Sequence, residues 1–79
     1  MSEGEIIKSF GGSNVIESAF VKKEENGSYT YNFMVNLYNF DEKKFERKKI
    51  RLDDPGLDQM AEFMQGMLDT RKEIKEANH

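Results

Sequence analysis

The chain has 79 residues, no cysteine and a formal net charge of −3. One domain of this size buries only about 60% of the surface that its unfolded chain exposes, so its stability is marginal without an added constraint. Disulfides and thiolate zinc sites are excluded. The single histidine is the last residue, His79, which leaves no histidine pair for a metal site or a catalytic dyad. We therefore expect association with a second subunit, and no cofactor or metal.

The start of the chain, Ser2 to Glu5, has neither a basic segment nor an apolar run. We expect no signal peptide from this pattern, and no apolar stretch is long enough to cross a bilayer. The absence of cysteine is compatible with a reducing compartment. The sequence thus predicts a cytoplasmic protein without membrane contacts, and a single domain over residues 1–79.

The first half of the chain has the composition of β-strands. Residues 5–10 and 15–24 are short segments rich in β-branched and aromatic side chains, separated by the turn-forming residues 11–14. Asn26-Gly27 follows the second segment, and this dipeptide favours a hairpin with a type I′ turn, in which both central residues have positive φ. These patterns predict two strands and a hairpin into a third.

Residues 29–39 alternate with period two, which is typical of a strand with one apolar face. The fourth predicted strand covers residues 44–52, where Ile50 and Leu52 share one face. The opposite face carries Phe45, Arg47, Lys49 and Arg51. Short connections make successive strands antiparallel neighbours.

A long helix is predicted over about residues 55–77. Asp53 and Asp54 precede Pro55, and an aspartate cap followed by proline at the first helical position is a typical helix start. Apolar residues then recur at three- and four-residue steps. The expected fold class is α+β, a four-stranded antiparallel meander followed by one C-terminal helix (ββββα).

The main functional signal is the basic fourth strand. Residues 43–51 contain six cations and one acid, a local charge of +5 in an acidic chain. Cations beside aromatic side chains are the usual means of binding single-stranded nucleic acid, because the cations contact phosphates and the aromatics stack on bases. The expected contacts are Tyr38, Lys44, Phe45, Arg47, Lys49 and Arg51. The alternatives are a solvated strand protected against edge-to-edge aggregation, and a surface for an acidic protein.

A family resemblance points the same way. The third strand ends in the aromatic pair Tyr38 and Phe40, an acidic turn follows, and then comes the basic segment Arg47-Lys48-Lys49-Ile50-Arg51-Leu52. With the order of four strands and one helix, this resembles the single-stranded-DNA-binding transcriptional coactivator family, positive cofactor four, and the related Whirly and Pur repeat folds.

The resemblance implies a homodimer that grips single-stranded DNA or RNA on its curved sheets and acts in transcription. Arg47, Lys49 and Arg51 would contact the strand, and Tyr38 would stack. The chain departs from the family at Lys49, where the family usually has glycine, and in its net acidity.

The helix carries an apolar stripe wider than one sheet needs. We expect Phe63, Met67 and Ile74 to form a dimer interface, with deep packing of the helix on its own sheet as the alternative. The methionines would also suit a protein partner, which gives a second hypothesis: a small interaction or inhibitor protein of the type carried by phages and mobile elements.

No catalytic constellation is present. The serines have no base to activate them, and no carboxylate pair lies in an apolar setting. Asp53, Asp54 and Asp58 cluster at the start of the helix, where capping and the helix dipole account for them. We expect a binding protein and not an enzyme.

Overall fold

The computed structural model describes residues 4–78. The elements are β1 (Glu5–Phe10), β2 (Ile16–Lys23), β3 (Tyr29–Asn39), β4 (Lys44–Leu52) and α1 (Asp54–Ala77). The strands form one antiparallel sheet in the order β1-β2-β3-β4. The predicted α+β class, with a four-stranded meander followed by one helix, is confirmed.

The second strand and the helix differ slightly from their predicted bounds. β2 is shorter by one residue at each end, because Val15 belongs to the turn and Glu24 begins the next loop. The helix begins one residue early, at Asp54, so that proline is its second residue. Asp53 is the cap, and its Oδ1 accepts a hydrogen bond from the amide of Gly56 at 2.9 Å.

The β2–β3 connection is not the predicted two-residue type I′ turn. Positive φ occurs at Gly27 (89°) and not at Asn26. The amide of Gly27 donates to the carbonyl of Glu24 at 3.0 Å. Asn26 Oδ1 instead accepts hydrogen bonds from the amide and hydroxyl of Ser28. This local side-chain bonding fits a three-residue loop with glycine in the left-handed position.

The strand register gives the sheet two chemically different faces. The pairs Tyr31–Leu52 and Phe33–Ile50 lie on what we call the apolar face. The pairs Asn32–Arg51 and Met34–Lys49 lie on what we call the basic face. The alternation of β3 predicts this separation, because successive side chains of a strand point to opposite sides.

The helix begins on the apolar face and then leaves the sheet. The hydroxyl of Tyr31 donates to Asp54 Oδ1 at 2.5 Å, and Leu57 and Met60 are half-buried. The helix contacts only β3 and β4, and every residue from 61 to 78 is exposed. Deep packing of the helix on its own sheet is therefore not observed.

The single chain has an extended shape and little core. Its radius of gyration is 16.0 Å, whereas about 12 Å is typical of a compact domain of this length. Val35, at 6% exposed, is the only buried apolar side chain among residues 4–78. The apolar surfaces of the sheet and helix thus lack a covering layer in the isolated chain.

Candidate nucleic-acid interface

The basic face brings together most of the side chains predicted to contact nucleic acid. β4 is extended throughout, and Arg47, Lys49 and Arg51 stand opposite Asn36, Met34 and Asn32 of β3. Alternate residues of a strand recur about every 6.8 Å. The cations therefore form one row along an edge strand of the sheet.

Lys44 departs from this arrangement. Its partner across the strands is Asn39, and the alternation of β4 places it on the same face as Glu46 and Lys48. Lys44, which was predicted as a nucleic-acid contact, therefore does not belong to the cation row. Side chains alternate along β4, so the even-numbered Lys44 faces the side opposite to Arg47, Lys49 and Arg51.

An aromatic cluster lies at the end of the β3–β4 hairpin. The ring of Tyr38 contacts the rings of Phe40 and Phe45 edge to face, with centroid distances of 5.3 and 5.2 Å. Phe40 and Phe45 are 82% and 66% exposed. Such exposure of two phenylalanines leaves ring surface on which bases can stack.

The hairpin turn holds this cluster at the tip of the sheet. Asn39 Oδ1 accepts hydrogen bonds from the amides of Asp41 and Glu42 at 2.9 and 3.0 Å. Lys43 has a φ of 57°, and its amide donates a hydrogen bond to the carbonyl of Asn39 at 2.7 Å, which closes the turn. Asparagine suits this position because its side chain bonds locally to the backbone.

Arg47 is not a free cation. Its Nε donates to Glu17 Oε1 at 2.5 Å, and its Nη2 donates to Oε2 at 3.0 Å. This bidentate pair raises the pKa of Arg47 further above its ordinary value, the hydrogen bond to Glu17 being the main cause. Arg47 was expected to contact nucleic acid, and its pair with Glu17 was not predicted from the sequence, because Glu17 lies at the irregular pairing of β2 between Ile16 and Ser18.

Arg51 is tied to the neighbouring strand β3 by a short chain of hydrogen bonds. Its Nε donates to Asn32 Oδ1 at 3.3 Å, and Asn32 Nδ2 donates to Thr30 Oγ1 at 3.0 Å. The hydroxyl of Thr30 donates to Glu24 Oε2 at 2.5 Å. Asn32 is buried and uses both ends of its amide, so it fixes the orientation of Arg51.

This chain of hydrogen bonds changes the pKa of Glu24. The hydrogen bond from Thr30 is the main cause that lowers the pKa of Glu24 below its ordinary value of 4.5. Desolvation opposes it as the second-largest cause, and the charges of Lys22 and Arg51 lower the pKa further. A carboxyl with a lowered pKa in the folded state stabilises the fold above the unfolded pKa. That contribution is lost as the pH falls through the folded value.

We therefore expect the protein to lose stability as the pH falls below about 4.5, with a smaller loss in Thr30→Val. The valine variant removes the hydrogen bond that lowers the pKa of Glu24, so its carboxyl should titrate nearer 4.5. Chemical denaturation at a series of pH values, with the Glu24 carboxyl followed by NMR, measures both effects. An unchanged midpoint for Glu24 in Thr30→Val contradicts the assignment.

The remaining cations of the basic face are lysines. Lys49 forms no ion pair within residues 4–78, and Lys22 Nζ lies 3.8 Å from Glu24 Oε1. With Arg47 and Arg51, the face carries four cations against the two acids Glu17 and Glu24. The basic face is therefore positive in a chain of net charge −3.

The centre of this face is concave. An open depression of about 600 Å³ is lined by Phe20, Met34, Lys49 and Arg51, among others. A second depression, of about 860 Å³, continues from Arg51 toward β1. Together they form a path across the sheet, with apolar and basic side chains on the same wall.

Two residues of this path, Phe20 and Lys22, were absent from the sequence prediction. Their cross-strand partners are Asn32 and Thr30, which places both on the basic face. The alternation of β2 contains a signal for them, but the face of each residue follows only once the register with β3 is known.

The residues predicted for a dimer interface line neither depression of this path. Phe63, Met67 and Ile74 are all more than half exposed. No cluster of three or more metal-ligating side chains occurs within residues 4–78, and no helix in that range is long and apolar enough to span a bilayer.

Comparison with protein-family models, curated proteins and solved structures finds no significant match to the chain. The resemblance to the coactivator family stays a prediction from the residues that carry it.

Proposed function

We propose that this protein is a homodimer that binds single-stranded DNA or RNA through the basic face of its sheet. The observation that supports this most is that aromatic and basic side chains share one face of the sheet. The register puts the exposed ring of Phe45, the cations Lys49 and Arg51 and the ring of Phe20 on one face of the sheet. Phe20, Lys49 and Arg51 also line its concave depression.

Each part of the face has a chemical role in this proposal. Tyr38 and Phe45 stack on bases at the hairpin end, and Phe20 offers a further ring in the central depression. Lys49, Arg51 and Lys22 contact phosphates along the path. Stacking and phosphate contacts need no base-specific hydrogen bonds, so the expected binding tolerates many sequences.

The two acids of the basic face limit how strongly it can bind phosphates. The carboxylate of Glu17 pairs with Arg47, and the carboxylate of Glu24 reduces the positive potential of Lys22 and Arg51. Three cations per protomer then remain for phosphates. For single strands the slope of log K against log salt is about −0.7 for each phosphate contact, which gives a slope of roughly −2 per protomer.

The decisive experiment is a titration of fluorescently labelled single-stranded oligonucleotides at several salt concentrations. We expect binding that weakens roughly 15-fold between 50 and 200 mM salt. A duplex of the same sequence is the control, because its bases are not available for stacking. Absence of binding at low salt, or equal binding of the duplex, contradicts the proposal.

The role in transcription and the homodimer follow from the resemblance to the coactivator family, and they belong to the same proposal. A different class of function is supported by the uncovered apolar helix, which suits a protein partner. In that alternative, affinity capture recovers one stoichiometric protein in the presence of nuclease, and the oligonucleotide titration is negative.

A further inference from the structure

The central depression of the basic face is formed by two rows of side chains, each of which crosses β2, β3 and β4. The rows, read from β2 to β4, are Phe20–Asn32–Arg51 and Ser18–Met34–Lys49. Neighbouring strands are about 4.8 Å apart, so the side chains on β2 and β4 stand about 10 Å from each other. The depression of about 600 Å³ is within the range of pockets that hold small ligands, which is about 300–1,000 Å³. It therefore has room for a nucleobase.

The guanidinium of Arg51 is the best-positioned donor of this depression. Its Nε donates to Asn32 Oδ1 at 3.3 Å, and Asn32 is only 9% exposed. Nε is the only nitrogen of this guanidinium that a side chain of residues 4–78 holds. The two Nη atoms keep their N–H groups for a ligand. Because the guanidinium is planar and held at Nε, these donors form a fork of fixed geometry.

Hydrogen-bond donors outnumber acceptors among the side chains around the depression. Lys49 and Arg51 can only donate, and Asn32 Oδ1 already accepts from Arg51. The hydroxyl of Ser18 is the main acceptor that is left. No acidic side chain of residues 4–78 lines this depression, since Glu24 belongs to the second one. The depression therefore favours a ligand edge that carries acceptors and disfavours an edge that carries an amino group.

The nucleobases differ in whether one edge presents two acceptors that point in the same direction. Guanine has such a pair in O6 and N7, and cytosine has one in N3 and O2. Adenine, thymine and uracil have none, because an amino or imino group lies beside the acceptors of their hydrogen-bonding edges. In a single strand both the Watson–Crick and the Hoogsteen edges are open to a protein. A guanidinium fork can thus distinguish guanine and cytosine from the other bases.

We propose that the central depression holds one base of the bound strand against the ring of Phe20, and that Arg51 selects guanine or cytosine there. Both Nη atoms of Arg51 donate to the two acceptors of that base. This inference rests on the nucleic-acid binding proposed above and specifies the base preference of the same face. Arg51 has five N–H groups, so others remain for a phosphate. The selection applies to one position per protomer, and the rest of the strand is bound without regard to sequence.

The first test compares labelled oligo-dC with oligo-dT of equal length, by fluorescence anisotropy at low salt and near neutral pH. The two strands have the same number of phosphates and bases of similar size. We expect oligo-dC to bind roughly tenfold more tightly, as for one bidentate contact to a base. Equal affinities, or tighter binding of oligo-dT, overturn the base selection alone. Absence of binding by both strands contradicts the proposed function, and the base selection fails with it.

A strand in which guanines alternate with thymines tests the second base. Replacing every guanine by 7-deazaguanine removes N7 and keeps O6, so the fork of Arg51 loses one of its two acceptors. We expect the affinity to fall roughly fivefold. An unchanged affinity overturns the selection of guanine.

The role of Arg51 is tested by Arg51→Lys, which keeps the charge and removes the planar fork. Oligo-dC and oligo-dT should then bind with equal affinity, whereas the salt slope should not change. Arg51 is exposed, so we expect the fold to persist, as checked by circular dichroism. Arg47→Lys is the matched control, because it makes the same change on the same strand and face but outside the depression. A preference that persists in Arg51→Lys, or that is equally lost in Arg47→Lys, overturns the assignment to Arg51.

Discussion

Replacing both Tyr38 and Phe45 by alanine is expected to weaken binding of single-stranded oligonucleotides at least tenfold. Stacking of one base on an aromatic side chain is worth about 1–3 kcal/mol, and about 1.4 kcal/mol corresponds to a factor of ten. The two rings contact each other, so the combined loss need not equal the sum of the single losses. Fluorescence anisotropy at low salt measures the effect.

Phe10→Ala is the matched control for that pair. Phe10 is an exposed aromatic residue like Phe45, but it pairs with Ala19 and lies on the apolar face. Its removal should leave oligonucleotide affinity unchanged. Far-UV circular dichroism should show an intact sheet in both variants, because neither site is buried. Equal loss of affinity in the control contradicts a specific role for the hairpin aromatics.

Replacing Glu17 by glutamine is expected to strengthen binding. The change removes the carboxylate that holds Arg47, so the guanidinium becomes available to a phosphate. One added charged hydrogen-bonding contact corresponds to about a tenfold gain at low salt. The salt slope should also steepen by about 0.7. Both quantities come from the oligonucleotide titration at several salt concentrations.

Glu46→Gln provides the control for the charge change. Glu46 pairs with Leu37 and bonds Asn39 Nδ2 at 2.6 Å, so it lies on the apolar face. The substitution changes the net charge by the same amount as Glu17→Gln. A gain in affinity that is equal in the two variants would show a general effect of charge, and the Arg47 assignment would then be wrong.

The fold was predictable because each element carries a local signal. The period-two alternation of residues 29–39 and the aspartate cap before Pro55 need no tertiary information. The faces of β3 and β4 followed from the same alternation. Lys44 was included among the nucleic-acid contacts because of its charge, although its even number already placed it on the same face as Ile50.

The pairing of Arg47 with Glu17 was not predictable in the same way. These residues are thirty positions apart, and they meet because β2 departs from regular register beside Ile16. Phe20 depends on register for the same reason. The position of the helix relative to the sheet was not predictable for a different reason. Its apolar pattern is compatible with packing on its own sheet, and how much of the helix packs there depends on the direction in which the chain leaves Leu52.

The separation of α1 from the sheet has a consequence for local unfolding. Amide protons of the sheet are protected by strand hydrogen bonds within one chain, whereas those beyond Ala61 have only the helix itself. Hydrogen exchange in the sheet should thus be independent of protein concentration. In the distal helix, we expect protection to rise with concentration, because the homodimer proposed above would oppose its fraying.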